Sequence, residues 1–175
     1  MPSPPVISMD PISKFPAKQP FHRPWMKREP GQLVGKGHPA GDFLEAYAWT
    51  LVEEKPGLLR VRAHLPDHVK NPRGQLFGGF TPTYVDLIAL LTVRAGKLND
   101  APAVGFRTWL ATTNMRLDYF EPIVGPHFLV ESRLIKSRGR TRFVETRFFD
   151  PEDTLAVFAL TTIREMALDR VLGDG

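Results

Sequence analysis

Residues 71–91 read NPRGQLFGGFTPTYVDLIALL, and the pattern changes character in the middle of them. Up to Gly79 the segment is punctuated by Pro72, Gly74, Gly78 and Gly79, the composition of a loop. From there to about Ala95, Phe80, Tyr84, Leu87, Ile88 and Leu91 fall at three- and four-residue steps, which predicts a helix with one broad apolar face. Thr81-Pro82 suits an N-cap followed by proline at the first helical position, and Gly96 suits a C-terminal stop. One acid, Asp86, interrupts the apolar run. A carboxylate there either lies on an exposed side, paired with a base such as Arg94, or performs chemistry.

Strand-like segments flank this helix. Ala48–Glu54 reads as a strand, Pro56-Gly57 as a turn, and LLRVRAHL (58–65) alternates Leu59, Val61 and Ala63 with Arg60, Arg62 and His64, as a half-buried strand does. Four more runs follow: WLATTNMRLDYF (109–120), HFLVESRLIKS (127–137), TRFVETRFFD (141–150) and TLAVFALTTIRE (154–165). SRGR and DPED supply the turns between the later ones. Two strands, a long helix and an antiparallel meander of four strands make an α+β architecture, a sheet packed against one helix.

The chain has 175 residues, 42% of them hydrophobic and 24% charged, which suits one globular domain. No apolar run is long enough to span a bilayer, and the first residues lack the charged and apolar regions of a cleaved secretion signal, so a cytoplasmic location is expected. There is no cysteine, hence no disulfide, thiolate metal site or cysteine nucleophile. Residues 1–40 hold six Lys or Arg against two acids, which accounts for the whole net charge of +4, and nine of the 17 prolines. They read as a basic extension, residues 41–166 as the folded domain and 167–175 as a tail. No basic, aromatic-interleaved patch suggests nucleic acid. His64 and His68 flank Asp67 across Pro66, at a strand exit rather than on one helical face, which argues against a metal site.

The loop, helix, acid and strand order together resemble the hotdog-fold acyl-CoA thioesterases, in particular the phenylacetyl-CoA thioesterase-like branch. That branch carries a loop of the form N-x-x-G-x-x-H-G-G running into the central helix, with an acid eight residues past the first glycine of the pair. Asn71, Gly74, Gly78, Gly79 and Asp86 match this spacing. Thr112 stands where the family's next strand carries a hydroxyl, ten residues before Pro122. The match covers roughly residues 40–166 and departs at two positions: Phe77 replaces the usual histidine, and Asn114 replaces an aspartate that often follows the hydroxyl by two residues.

The resemblance implies a single hotdog domain, a sheet of about five to six antiparallel strands wrapped around the helix, that cleaves acyl-CoA to free acid and CoA. It implies no metal or redox cofactor, coenzyme A entering as part of the substrate. The Gly78 N–H would be an oxyanion donor, Asp86 the general base or nucleophile, Asn71 would orient water or thioester, and Thr112 would assist Asp86. Phe77 and Gly79 would line the substrate site, and Lys136, Arg138 and Arg140 at the SRGR hairpin would meet the CoA phosphates, a task suited to clustered cations. Eight helical residues rise ~12 Å, whereas a base works within about 3 Å of its proton, so Gly78 and Asp86 of one chain cannot serve one site. A homodimer, or a dimer of dimers, with Gly78 of one subunit beside Asp86 of the next solves this, as the family does. Simple alternation places Leu110, Thr112, Asn114, Arg116 and Asp118 on one face of the third strand, so a bulge or cleft edge is needed to aim Thr112 at Asp86. The alternative is a hotdog module that binds acyl-CoA without turnover. A hotdog hydratase ranks lower, because its relatives use a histidine and none stands in residues 69–126.

Overall fold

A computed structural model describes residues 27–96 and 108–167 of the chain. The elements are α1 (Pro39–Phe43), β1 (Thr50–Lys55), β2 (Leu58–His64), α2 (Thr81–Arg94), β3 (Thr108–Tyr119), β4 (His127–Arg138), β5 (Thr141–Phe149) and β6 (Leu155–Ala167), with single 3-10 turns at Ala46–Ala48 and Asp67–Val69. The six strands form one antiparallel sheet in the order β1-β2-β4-β5-β6-β3, and α2 packs across it against β2 to β6. This is the α+β hotdog arrangement expected from the sequence.

The final strands do not follow the sequential meander. Only β4, β5 and β6 are neighbours in chain order; β3 pairs with β6 at the far edge of the sheet. Alternation along a strand reports which face is buried and carries no information on which strand lies alongside. The sequence therefore locates all four strands but not this crossover, in which residues 120–126, stiffened by Pro122 and Pro126, carry the chain away from the edge.

Leu59, Val61 and Ala63 of β2 do point inward, joined by Phe128 and Val130 of β4, Phe148 of β5 and Val157 and Ala159 of β6. Against them α2 buries Tyr84, Val85, Leu87 and Ile88, more of its circumference than one apolar stripe requires, because the curved sheet wraps it. At the centre Tyr84 stacks on Trp49 with ring centroids 5.3 Å apart and meets Phe128 edge-on at 5.4 Å, while Phe128 stacks on Phe148 at 5.6 Å. Burial pushes the Tyr84 phenol well above its ordinary pKa, with the Glu45 carboxylate adding to the shift, so its hydroxyl stays neutral and donates to the His64 carbonyl at 3.3 Å.

Two local expectations shift. Ala46–Ala48 forms a 3-10 turn instead of opening the first strand, with the buried Trp49 indole N–H donating to the Leu44 carbonyl at 3.2 Å. Thr81 is the first residue of α2 rather than its cap; Phe80 takes the cap position with no side-chain hydrogen bond, and Pro82 stays in the first turn, where its missing N–H costs nothing. Packing also reaches upstream of residue 41. Leu33 and Val34 are buried, Gln32 bridges to Thr50, and Arg28 pairs with Glu54 at 2.7 Å. Residues 1–26 and 168–175, most of the extension and of the tail, lie outside the described residues.

Candidate active site

Asp86 sits half-buried in the second turn of α2, and the Thr112 hydroxyl of β3 donates to its Oδ1 at 2.5 Å. What aims Thr112 is a β-bulge. β3 pairs with β6 as Thr112↔Ile163 and then Asn114↔Thr162, so Thr113 is an extra residue. Such an insertion reverses the side-chain parity beyond it. Leu110 and Thr112 face the helix before the bulge, and Met115 and Leu117 pack on the core after it. The single even-numbered face read from simple alternation is thus split in two. Asn114 is exposed on the opposite side from Thr112, so its difference from the family's aspartate bears on a position turned away from Asp86.

The glycine loop enters α2 through successive three-residue turns: Phe80 N–H donates to the Phe77 carbonyl at 2.9 Å, Thr81 N–H to Gly78 at 3.3 Å and Thr83 N–H to Phe80 at 3.0 Å. Among the described residues, neither the Gly78 nor the Gly79 N–H has an acceptor. These are the donors a helix start leaves unpaired, at its positive end. Gly79 is a close-approach glycine, since a Cβ there would lie 2.6 Å from the Phe77 ring; at Gly78 the nearest atom would be 3.7 Å away, on Tyr119. The exposed Phe77 ring meets Phe80 edge-on at 5.6 Å, and Phe80 lies 5.4 Å from Phe43. The position where the family carries a histidine therefore carries an apolar cover over the glycine pair. A cleft of about 250 Å³ opens beside Gly78, walled by Gln75, Thr81, Tyr119, Phe120 and Val157; Asp86 and Thr112 are not on its wall.

Asn71 is committed to its own loop. Its Oδ1 accepts from the N–H groups of Arg73 and Gln75 at 2.9 and 3.1 Å, and its Nδ2 donates to Gln75 Oε1 at 3.1 Å, which leaves one Nδ2 hydrogen for anything else. Lys136, Arg138 and Arg140 are exposed at the β4–β5 hairpin. His64 Nε2 faces Glu45 at 3.4 Å and His68 Nε2 meets the Phe43 carbonyl at 2.6 Å; among the described residues no group of three or more His, Asp or Glu is placed to hold a metal.

Two residues near these groups are not singled out by the sequence. His38 caps α1, its Nδ1 accepting the Gly41 N–H at 3.0 Å. Burial lowers its pKa, opposed by the Asp42 carboxylate and, more weakly, by Asp86, which puts an imidazole within electrostatic reach of the acid. Tyr119, at the end of β3, donates its hydroxyl to the Gly78 carbonyl at 2.9 Å. His38-Pro39 is legible as a helix start and Tyr119 as a strand end; their nearness to Asp86 and Gly78 depends on the packing of α1 on α2 and on the bulge.

The comparisons with known proteins agree with this fold. Residues 73–157, from the glycine loop to β6, match the family model of the thioesterase superfamily. The match covers just under half of the chain. Thioesterase structures also share its fold. A phenylacetic acid degradation-related protein from Ralstonia eutropha is 17% identical, with a TM-score of 0.60 over 74% of this chain and 92% of its own. A Haemophilus influenzae thioesterase is 13% identical, with a TM-score of 0.60 over 74% and 83%. A hypothetical thioesterase protein from Streptococcus pneumoniae, solved with coenzyme A, is 14% identical, with a TM-score of 0.57 over 68% and 86%. At these identities the likeness is one of fold. No curated protein sequence matches the chain. The stretch from the glycine loop to β6 thus resembles the thioesterases, whose reaction is the hydrolysis of a thioester.

Proposed function

We propose that the protein is an acyl-CoA thioesterase that hydrolyses its substrate to free acid and CoA at sites shared between the subunits of a homodimer. The observation that carries this reading is the Thr112–Asp86 hydrogen bond delivered by the β3 bulge, on a helix whose start leaves the Gly78 N–H unpaired. The Asp86 carboxylate takes a proton from water, and the water oxygen bonds to the thioester carbon. Negative charge gathers on the carbonyl oxygen, where the Gly78 N–H meets it. Collapse of this intermediate breaks the C–S bond, and the CoA thiolate leaves and takes up a proton. Direct attack by Asp86 on the same carbon is the variant in which it acts as nucleophile. Asn71 retains one N–H to orient water or thioester, Phe77 and Gly79 border the acyl group, and Lys136, Arg138 and Arg140 meet the CoA phosphates.

The separation of the two halves supports a dimer. From Gly78 to Asp86 the chain runs through three-residue turns and then α2, a rise of ~12 Å or more, too far for one carbonyl to touch both. β3 lies at the sheet edge with one side paired, and a long edge strand favours pairing with an identical one. Phe77, Phe120 and Val124 are exposed apolar side chains at the same end of the protomer as the glycine loop. In the two-fold assembly the partner subunit supplies the missing half of each site.

Release of free thiol from a panel of acyl-CoAs tests the activity, and no turnover on any of them would sink it. Subunit mixing tests the shared site. Asp86→Asn and Gly78→Pro, the second of which removes the donor N–H itself, should each be inactive alone and recover about a quarter of the wild-type rate when co-refolded, because half the randomly paired dimers then carry one intact site of two. No recovery would mean that each site lies within one chain. Thr112→Val should lower kcat about tenfold by removing a hydrogen bond to a charged group, while Thr112→Ser stays near wild type; equal losses in both would remove the hydroxyl from the mechanism.

The second reading, a module that binds acyl-CoA without turnover, is favoured by Phe77, whose ring over Gly79 supplies no polar contact where the family has a histidine. The two readings part at the thiol-release assay run beside a binding measurement with coenzyme A.

A further inference from the structure

The glycine loop has one feature that the proposed mechanism does not use. The Gly78 carbonyl accepts two hydrogen bonds, from the Thr81 N–H at 3.3 Å and from the Tyr119 hydroxyl at 2.9 Å. The first belongs to the turn that starts α2 and is made by any chain that coils there. The second reaches across from the end of β3, 41 residues away in sequence.

A peptide group is planar and trans, so its N–H points opposite to its carbonyl. Fixing the Gly78 carbonyl toward Thr81 and Tyr119 therefore fixes the direction of the Gly79 N–H, which has no acceptor among the described residues. A carbonyl that accepts a hydrogen bond also polarises its own amide, which strengthens the N–H as a donor. Tyr119 acts on no other polar group of the loop. Its ring meanwhile covers the Gly78 Cα, and both residues wall the cleft beside the helix start.

We propose that Tyr119 is a positioning residue of the oxyanion half-site, holding the Gly78–Gly79 peptide so that the Gly79 N–H stands as a second donor to the thioester oxygen. The inference rests on the thioesterase reading and deepens it. It also gives β3 a double role. Thr112, before the bulge, holds Asp86; Tyr119, beyond it, holds Gly78. In the dimer each site then takes Thr112 with its acid from one subunit and Tyr119 with its glycines from the other.

Tyr119→Phe tests this, since it removes the hydroxyl and keeps a half-exposed ring whose loss of one polar atom leaves the fold intact. Residues 78 and 79 form the only Gly-Gly pair in the sequence. Glycine labelled at its carbonyl carbon and its nitrogen therefore yields a single carbonyl–amide correlation, that of this peptide. The expected result is an upfield move of that signal, a kcat about tenfold lower on the best acyl-CoA of the panel, a KM within about twofold and an unchanged Tm. A signal that stays in place, or that moves with kcat unaltered, overturns the assignment and leaves the thioesterase reading standing. A wild-type protein that cleaves no acyl-CoA overturns both.

Discussion

Asp86→Asn is expected to lower kcat for acyl-CoA hydrolysis by about 10²- to 10⁴-fold, the usual worth of a positioned general base. The asparagine is isosteric, and its Oδ1 can still accept from Thr112, so the helix keeps its contact with β3. KM should change little, because in the proposed mechanism the substrate carbonyl is held by the glycine N–H groups at the other half of the site. Thermal unfolding should fall within a few degrees of wild type, which separates a chemical loss from a folding one. Thiol release by the purified variant, followed with single acyl-CoAs at saturation, gives the number. Undiminished turnover would return Asp86 to the status of a half-buried acid held by one hydroxyl.

Phe148→Ala is the substitution with the largest expected effect on stability, about 3–5 kcal/mol. Phe148 is fully buried on β5, stacked on Phe128 at 5.6 Å and edge-on to Tyr84 at 6.3 Å. Truncation removes the transfer energy of the ring, leaves a cavity among rigid neighbours and deletes two aromatic pairs, each worth about 0.5–1.5 kcal/mol. The surroundings have little freedom to collapse, since Tyr84 is pinned between the Trp49 stack and its hydrogen bond to the His64 carbonyl. Urea unfolding at a fixed protein concentration measures the loss, the concentration being held because the stability of the proposed dimer would depend on it. A loss below about 1 kcal/mol would mean that the aromatic cluster is not the centre of the core.

Most of the architecture follows from local rules that the sequence states openly. Leu59, Val61 and Ala63 alternate because a strand has period two, and Tyr84, Leu87 and Ile88 recur as they do because a helix has period 3.6. The extra burial of Val85 and Ala89 on the flanks of α2 could not be read the same way, since it depends on how far the sheet curls around the helix. Gly96, with φ of 80°, closes α2 where its position after the last apolar residue suggested. Asp150 shapes the β5–β6 turn by accepting from the Glu152 and Thr154 N–H groups at 2.9 and 2.8 Å, as an aspartate at a turn start does.

The candidate site divides along the same line. Asn71, Gly78, Gly79 and Asp86 lie within one loop and one helix, so the resemblance to the family's motif can single them out from the chain alone. The hydrogen bonds of Thr112 to Asp86 and of Tyr119 to Gly78 join residues 26 and 41 positions apart. They depend on β3 lying at the far edge beside β6, and on Thr113 being inserted into that pairing. Neither the neighbour of a strand nor a one-residue slip in its register leaves a mark on local hydrophobic pattern, because both are settled by the fit of distant segments around a shared core. Local periodicity thus wrote the elements into the chain and a family resemblance picked out the acid, whereas long-range packing brought the acid its hydroxyl and the glycine its tyrosine.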